Sequence, residues 1–296
     1  MTAAERGFAL LSCALGDSCA VPLTLRQLRE LSKRVSADGA PKRSLFSDLR
    51  RGDLERLGYE PEQAERIVRL LEREKTLDDY LRCAERREIR IVTRISPDYP
   101  LPLSQKLRMD APPVLFCRGD LSVLKNRCLS VVGSRQLRQG GVRFAQDAGR
   151  LIARGGFTLC SGDAEGADRT AEGAALREGG SVLAFIPGRL TDCICRKNVL
   201  YVSENGFELP FSAQRALSRN RLIHAMGEKT LVAQTNLGTG GTWSGATDNL
   251  RHGYSPVFVH DDGSEGANAL IARGARPIVH LESLEQLDDG QQTMFE

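Results

Sequence analysis

Four groups of residues in this chain have the types and spacing to bind or transform a ligand. Arg135 stands two residues after the apolar run CLSVVG at 128–133, and CSGDAEGAD at 160–168 sets Ser161, Gly162 and Gly166 among three acids, Asp163, Glu165 and Asp168. QRALSRNRLIH at 214–224 carries Arg215, Arg219, Asn220 and Arg221, and GTGG occupies 238–241. A glycine-rich turn between a strand and a helix offers backbone N–H groups to a phosphate. Guanidiniums add planar forks of donors for phosphate or carboxylate oxygens. Acids in the same turn repel a phosphate, so the second group is contradictory as it stands. Carboxylates plus phosphate oxygens can hold Mg²⁺. The simpler expectation is that Asp168 caps the helix that begins there, accepting N–H bonds from its first turn, and no metal is expected.

Several chemistries lack their residues. No G-x-x-x-x-G-K-[ST] occurs, and no G-x-G-x-x-G opens a helix after a strand, which disfavours P-loop and dinucleotide enzymes. Histidines 224, 252, 260 and 280 have no metal-ligand spacing, and the eight cysteines include no C-x-x-C pair. Cys128 and Cys160 sit at or in apolar strand-like runs and are expected to be buried free thiols in a reducing compartment. No catalytic residue and no cofactor are expected.

The elements that position these groups change character along the chain. Before residue 89 the pattern is helical: Leu25, Leu28, Leu31 and Val35 share one face, as do Ala64, Ile67, Val68 and Leu71. Between these runs, DLERLGYEPEQAERI reads as helix, glycine stop, proline start and helix, a layout seen in small nucleic-acid-binding and docking modules. Residues 1–88 are thus read as a small helical domain. Residues 89–126 carry five prolines between Pro97 and Pro113 and read as an extended connecting segment packed on the main domain. From 127 to 296, apolar strand runs alternate with helical runs, the pattern of a mostly parallel α/β sheet with helices on both faces. In such sheets the loops at the carboxyl ends of the strands form the ligand cleft. Ser134–Arg135, the CSGDAEGAD loop, Pro187–Gly188 and Asn236–Thr242 all fall there.

An apolar fraction of 41% suffices for a sizeable core, and a net charge of +3 permits an anionic partner without requiring one. The amino-terminal run MTAAERGFALLSC has an acid and a base ahead of its apolar stretch and reads as a helix, not a signal peptide. No run approaches the ~18 apolar residues of a membrane span, and a soluble, cytoplasmic protein is expected.

In order and spacing, IRIVTRISPDYPLPL, PPVLFCRGDL, SVVGSR, SGDAEGAD, SRNRLIHAMGEKTLV and NALIARGA resemble segments of the DprA/Smf family of bacterial DNA-processing proteins, from about residue 88 to 282. The resemblance implies an extended Rossmann-like fold preceded by a small helical domain, with no winged helix after it in these 296 residues. It implies a non-enzymatic dimer that binds and protects incoming single-stranded DNA and loads the recombinase RecA on it in natural transformation. It assigns Gly133, Ser134 and Arg135 to a first DNA-contacting motif, Ser161, Gly162, Gly166 and Asp168 to a second, and Arg219, Asn220 and Arg221 to a third. The sequence departs from the family pattern at Asp163 and Glu165, where an apolar residue and a base are usual, and at Glu172, where a histidine is usual. GTGGTW replaces a Gly-Ser-Gly-Ser-Leu type segment, and Trp243 in it is expected to pack on the sheet. The same acidic loop is also similar to Ser-Gly-Gly-Ala-x-Gly-Ala-Asp loops of Rossmann-like relatives. That similarity leaves a second expectation, a protein that senses or cleaves a small nucleotide.

Overall fold

In the computed structural model, which describes residues 1–17, 19–37 and 49–288, the apolar runs become one sheet. Its strands are β1 (Ile89–Thr93), β2 (Val114–Arg118), β3 (Cys128–Val132), β4 (Thr158–Ser161), β5 (Val182–Phe185), β6 (Val199–Ser203), β7 (Thr230–Val232), β8 (Val257–His260) and β9 (Arg276–Ile278). The spatial order is β1-β2-β6-β5-β4-β3-β7-β8-β9. From β6 through β9 in that order every neighbouring pair is parallel. The chain therefore starts the parallel sheet at β3, winds outward to β6, and returns to β3's other side at β7. That reversal leaves a crevice between the β3 and β7 ends, where ligands bind in open α/β sheets.

The connecting segment departs from its expected form. Residues 89–126 are not laid against the sheet but extend it: β1 pairs antiparallel with β2, and β2 antiparallel with β6. The prolines are compatible with this because all five lie between the two strands. Pro100 is the N-cap of the short helix at Leu101–Leu107, and Pro102 is in its first turn, where a missing N–H costs nothing.

Alternation along each strand sends side chains to two cores. Val182 and Ala184 of β5 join a cluster with Phe144, Ala148, Ile152 and Ala171, whereas Leu183 and Phe185 join one with Leu222, Ile223 and Met226. The amino-terminal helices, α1 (Ala3–Ser12), α2 (Leu25–Ala37), α3 (Arg51–Arg56), α4 (Pro61–Leu71) and α5 (Glu74–Glu85), feed both clusters, with Leu31 and Ile67 in one and Leu10 and Leu77 in the other. The glycine stop is Gly58, at φ 81°, and Pro61 opens α4. After α6 (Leu101–Leu107) come α7 (Gln139–Arg154), α8 (Ala167–Arg177), α9 (Ala213–Met226), α10 (Gly240–His252) and α11 (Glu265–Ile271). No helix among the described residues is long and apolar enough to cross a membrane.

Helices α7 and α8 meet at a glycine. A Cβ on Gly149 would lie 2.2 Å from the Ala171 carbonyl oxygen and 3.0 Å from the Ala174 Cβ. Gly149→Ala should therefore destabilise the fold by about 1–3 kcal/mol, as overpacking does, although alanine is the better helix former. Urea unfolding measures this, and a midpoint at or above that of the unaltered chain would contradict the close packing.

Candidate functional site

The first two strand-end loops are locked together by their glycines. Beyond β3, the Ser134 N–H donates to the Gln234 carbonyl at 2.9 Å, and the Ser134 carbonyl accepts from the Ala167 N–H at 3.1 Å. Gly166, at φ 83°, lies so close that a Cβ there would be 2.3 Å from the Ser134 oxygen and 2.4 Å from the Arg135 oxygen. A Cβ on Gly133 would sit 2.4 Å from the Ala167 Cβ. These glycines thus serve contact between loops.

The acids of the second loop turn inward. Asp168 accepts the N–H groups of Gly162 at 3.0 Å and of Ala164 at 3.4 Å, through the same carboxylate oxygen. This corrects the expectation that Asp168 caps its own helix: Gly166 is the N-cap of α8, and Asp168, one residue inside, holds the preceding loop instead. Glu172, fully buried, accepts from the Ser161 hydroxyl and from the Asp163 N–H at 3.0 Å. Arg196 completes the cluster, donating to Glu172 and to Asp163, each at 3.2 Å. Three N–H groups that a phosphate would use are therefore occupied by the chain's own carboxylates. Ser161 is buried against Glu172 and does not reach the cleft.

The third motif divides. Arg219 is 8% exposed, and its guanidinium donates to the Phe185 carbonyl at the end of β5. It lies where a Gly162 Cβ would be, 2.0 Å from that position, so Gly162 makes room for an arginine and not for a phosphate. Asn220 donates to the Gly241 carbonyl at 3.0 Å. Arg221 leaves the cleft altogether, binding the Asp110 carbonyl and, at 2.6 Å, Glu204.

What remains open is a cleft of two chambers. One, about 630 Å³, lies at the β3/β7 crevice and is lined by Gly133, Ser134, Asn220 and the start of α10. The other, about 650 Å³, lies beside it under the Pro187–Gly188 turn. Arg135, Ala164, Phe211 and Arg219 line both. The second chamber is rich in guanidiniums that the motif pattern did not single out: Arg169, Arg189 and Arg196. For Arg189 and Arg196 the signal was their place near the two ends of PGRLTDCICR, the loop after a buried strand; Arg169, in α8, had none. Arg169 and Arg196 are tied to Asp163, and Arg189 to the Glu208 carbonyl. Among the described residues lining the cleft, Arg135 is the one arginine with no hydrogen bond or ion pair, and it is exposed.

Other expectations resolve here. Cys128 and Cys160 are buried free thiols. His224 is buried, within reach of Thr230 and Asn249, and burial lowers its pKa to about 4. Trp243 packs partly on the core, lies under Arg273 at 4.9 Å, and also lines the first chamber. No group of three or more metal-ligating side chains occurs among the described residues.

A family model described as DNA recombination-mediator protein A matches residues 90–287. The chain is 31% identical over 196 residues to Protein Smf of Escherichia coli (strain K12), covering 61% of this chain and 52% of that protein. It is 28% identical over 204 residues to DNA processing protein DprA of Bacillus subtilis (strain 168), covering 64% and 68%. The aligned part thus spans about half the length of Smf. Among solved structures, DNA processing protein A from Streptococcus pneumoniae matches with a TM-score of 0.70 at 23% identity, covering 98% of this chain and 99% of that one. The corresponding protein from Helicobacter pylori, studied for its single-stranded DNA binding mode, matches with a TM-score of 0.55 at 23% identity, covering 66% and 92%. At these identities the two structures show the shared fold.

The inward acids should be visible in stability. Burial, reinforced by nearby Asp163, raises the Glu172 pKa from 4.5 to about 7. Burial also raises Asp168 to about 6, against the pull of Arg219. A carboxyl raised on folding stabilises the fold fully below its unfolded pKa and loses that contribution as pH rises through the folded value. Glu172→Gln, which keeps an acceptor for Ser161 and Asp163, should therefore lose less stability than the unaltered chain as pH rises from 4.5 to about 7. His224 acts in the opposite sense in both proteins and cancels in the difference. Urea midpoints across that window provide the comparison, and a constant difference between the two proteins would contradict the assignment.

Proposed function

The chain belongs to the DNA recombination-mediator protein A family, and on that premise we propose that its cleft binds the backbone of single-stranded DNA without bond chemistry. The observation that carries this reading is Arg135. An exposed, unpartnered guanidinium stands where two chambers meet at the topological switch point, while the neighbouring arginines are held by protein groups. Such a cation, with backbone donors beside it, can track phosphates without reading sequence. The Bacillus subtilis relative is a DNA processing protein, and the Helicobacter pylori relative has a described single-stranded DNA binding mode. Protection of incoming strands during transformation, transfer to RecA and homodimer formation belong to the same reading. They are tested by co-precipitation with RecA, with and without single-stranded DNA, and by light scattering.

The motif residues predict opposite phenotypes. Arg135→Ala should weaken single-strand binding alike for all sequences and flatten the dependence of log K on log salt by about one unit. Arg221→Ala should leave that slope unchanged and instead cost about 1–3 kcal/mol of stability, because Glu204 loses its charged partner. Anisotropy titrations at several salt concentrations, with urea unfolding, distinguish them. An unaltered slope in Arg135→Ala would remove Arg135 from the site. If the unaltered chain shows no salt-dependent binding of single strands while a free nucleotide raises its Tm, the nucleotide-binding alternative replaces this reading.

A further inference from the structure

We propose that Arg196 is a ligand-contacting guanidinium of the second chamber and Glu172 its positioning residue, so that an anion entering this chamber draws a proton from solvent onto Glu172. That the anion is a phosphate of a DNA strand rests on the single-strand reading. The coupling of anion to proton rests on the side-chain cluster alone.

Arg196 is held from one side. Its Nε donates to the Tyr201 hydroxyl at 2.8 Å, and that hydroxyl donates to the Ile194 carbonyl at 3.0 Å. Its Nη2 is shared by Asp163 and Glu172, at 3.2 Å from each. Nη1 is left without a hydrogen bond among the described residues, and the side chain, 37% exposed, lines the second chamber. Five arginines line that chamber against two aspartates, Asp163 and Asp192, so its wall is cationic and suits an anion. Glu172 stands behind the wall, fully buried, with both oxygens in use: one accepts from the Ser161 hydroxyl and the Asp163 N–H, the other from Arg196.

The charges around this pair are finely balanced. Asp163 comes from the loop after β4, Asp168 and Arg169 from α8, Arg196 from the loop after β5, and Arg219 from α9. With Glu172 ionised, three carboxylates oppose three guanidiniums and the cluster is neutral. With Glu172 protonated it carries one positive charge at the chamber wall. Tyr201 and Cys193 beside it keep their protons at neutral pH, because burial raises both, Cys193 to about 11. Burial, reinforced by Asp163, brings Glu172 to about 7, where neither form dominates. A negative charge placed against Arg196 competes for the guanidinium and repels the Glu172 carboxylate, and both effects favour the protonated acid. The coupling is reciprocal, so the protonated acid also favours the anion, and that gain is lost as pH rises through the Glu172 titration. A further rise of about one unit on binding corresponds to affinity about fourfold higher near pH 7 than near pH 8.5.

The test follows oligothymidylate binding to the full chain by anisotropy at these two pH values and constant salt; the ligand does not change charge appreciably between them. The unaltered chain should weaken about fourfold from the lower pH to the higher. Glu172→Gln, fixed in the neutral form, should weaken less than twofold and near pH 8.5 should bind at least as tightly as the unaltered chain. Arg196→Gln should flatten the dependence of log K on log salt by about one unit. If Arg196→Gln does not fold, because it leaves Glu172 without its cation, the double variant Glu172→Gln/Arg196→Gln strands no charge and reads the same slope. Equal weakening in Glu172→Gln and the unaltered chain, or none in either, would overturn the coupling, and an unchanged salt slope would remove Arg196 from the contact. Sulfate, which keeps its charge throughout, is the second probe: its rise in Tm over chloride at equal ionic strength should be larger near pH 7, and Glu172→Gln should shrink that difference. This sulfate result without oligothymidylate binding keeps the site and overturns the single-strand reading. Oligothymidylate binding with no pH difference does the reverse, and binding of neither probe overturns both.

Discussion

The strand-end surface depends on two opposite charges buried behind it, Asp168 and Arg219. Asp168, at the start of α8, gathers the N–H groups of the loop after β4. Arg219, from α9, reaches across that loop to the carbonyl at the end of β5. Four elements are thereby fixed by one pair of charges. Burial opposes ionisation of both: it pulls the Arg219 pKa down and pushes Asp168 up to about 6, and each is favoured in its charged form by the other. Removing either would strand a buried charge, which costs far more than the intact pair contributes. The consequence for the cleft is that its second loop is already organised and its donors already used. Affinity for an external anion must come from elsewhere.

That constraint explains acids that look misplaced in an anion-binding loop. Asp163 and Glu172 are partnered by Arg196, a cation from the loop after β5, so the second chamber gains guanidiniums as the loop after β4 gains carboxylates. Positive charge has moved one strand along the sheet. Glu165 is the exception: it is exposed, with no partner among the described residues, and it stands where the family pattern has a base. It adds a negative charge beside the cleft that neighbouring guanidiniums must offset, and at ordinary salt that offset acts over only about 8–10 Å.

Much of this fold was legible in the residues. The alternation of apolar runs and helical faces identified the parallel sheet, because β3, β4, β5, β7 and β8 are each short, apolar and followed by a turn, whereas β9, Arg-Pro-Ile with two exposed residues, carries no such signal. The opposite holds for residues 89–126, where proline density masked two strands: proline excludes regular structure only at the positions it occupies, and all five sit between β1 and β2. At the site, local spacing located the loops correctly but not the direction of side chains within them. Asp168, Arg219 and Arg221 lie in motif positions, yet their roles are decided by partners 17 to 111 residues away or by a loop that folds back onto them. Arg189 and Arg196 stand in a loop after a buried strand, but that they share a chamber with Arg169 could not be read locally, since only the sheet order brings the loops after β4 and β5 side by side.

The two walls of the cleft differ in a way that bears on how a strand could be held. One side presents the Arg135 guanidinium and, behind it, the closed network of Asp168 and Arg219. The first chamber is also lined by Phe211 and Leu217, which are 58% and 52% exposed, unusual for large apolar side chains that border a polar pocket. A guanidinium recognises phosphates, which are the same at every nucleotide. Apolar surfaces recognise the faces of bases, which every nucleotide also has. Of the two amides that line the first chamber, Asn220 is already engaged with the Gly241 carbonyl, and Asn236 is exposed. Under the proposed single-strand reading, phosphate contacts and base faces would hold a strand by what all nucleotides share, and a duplex, whose bases are stacked and paired, would not offer the same faces.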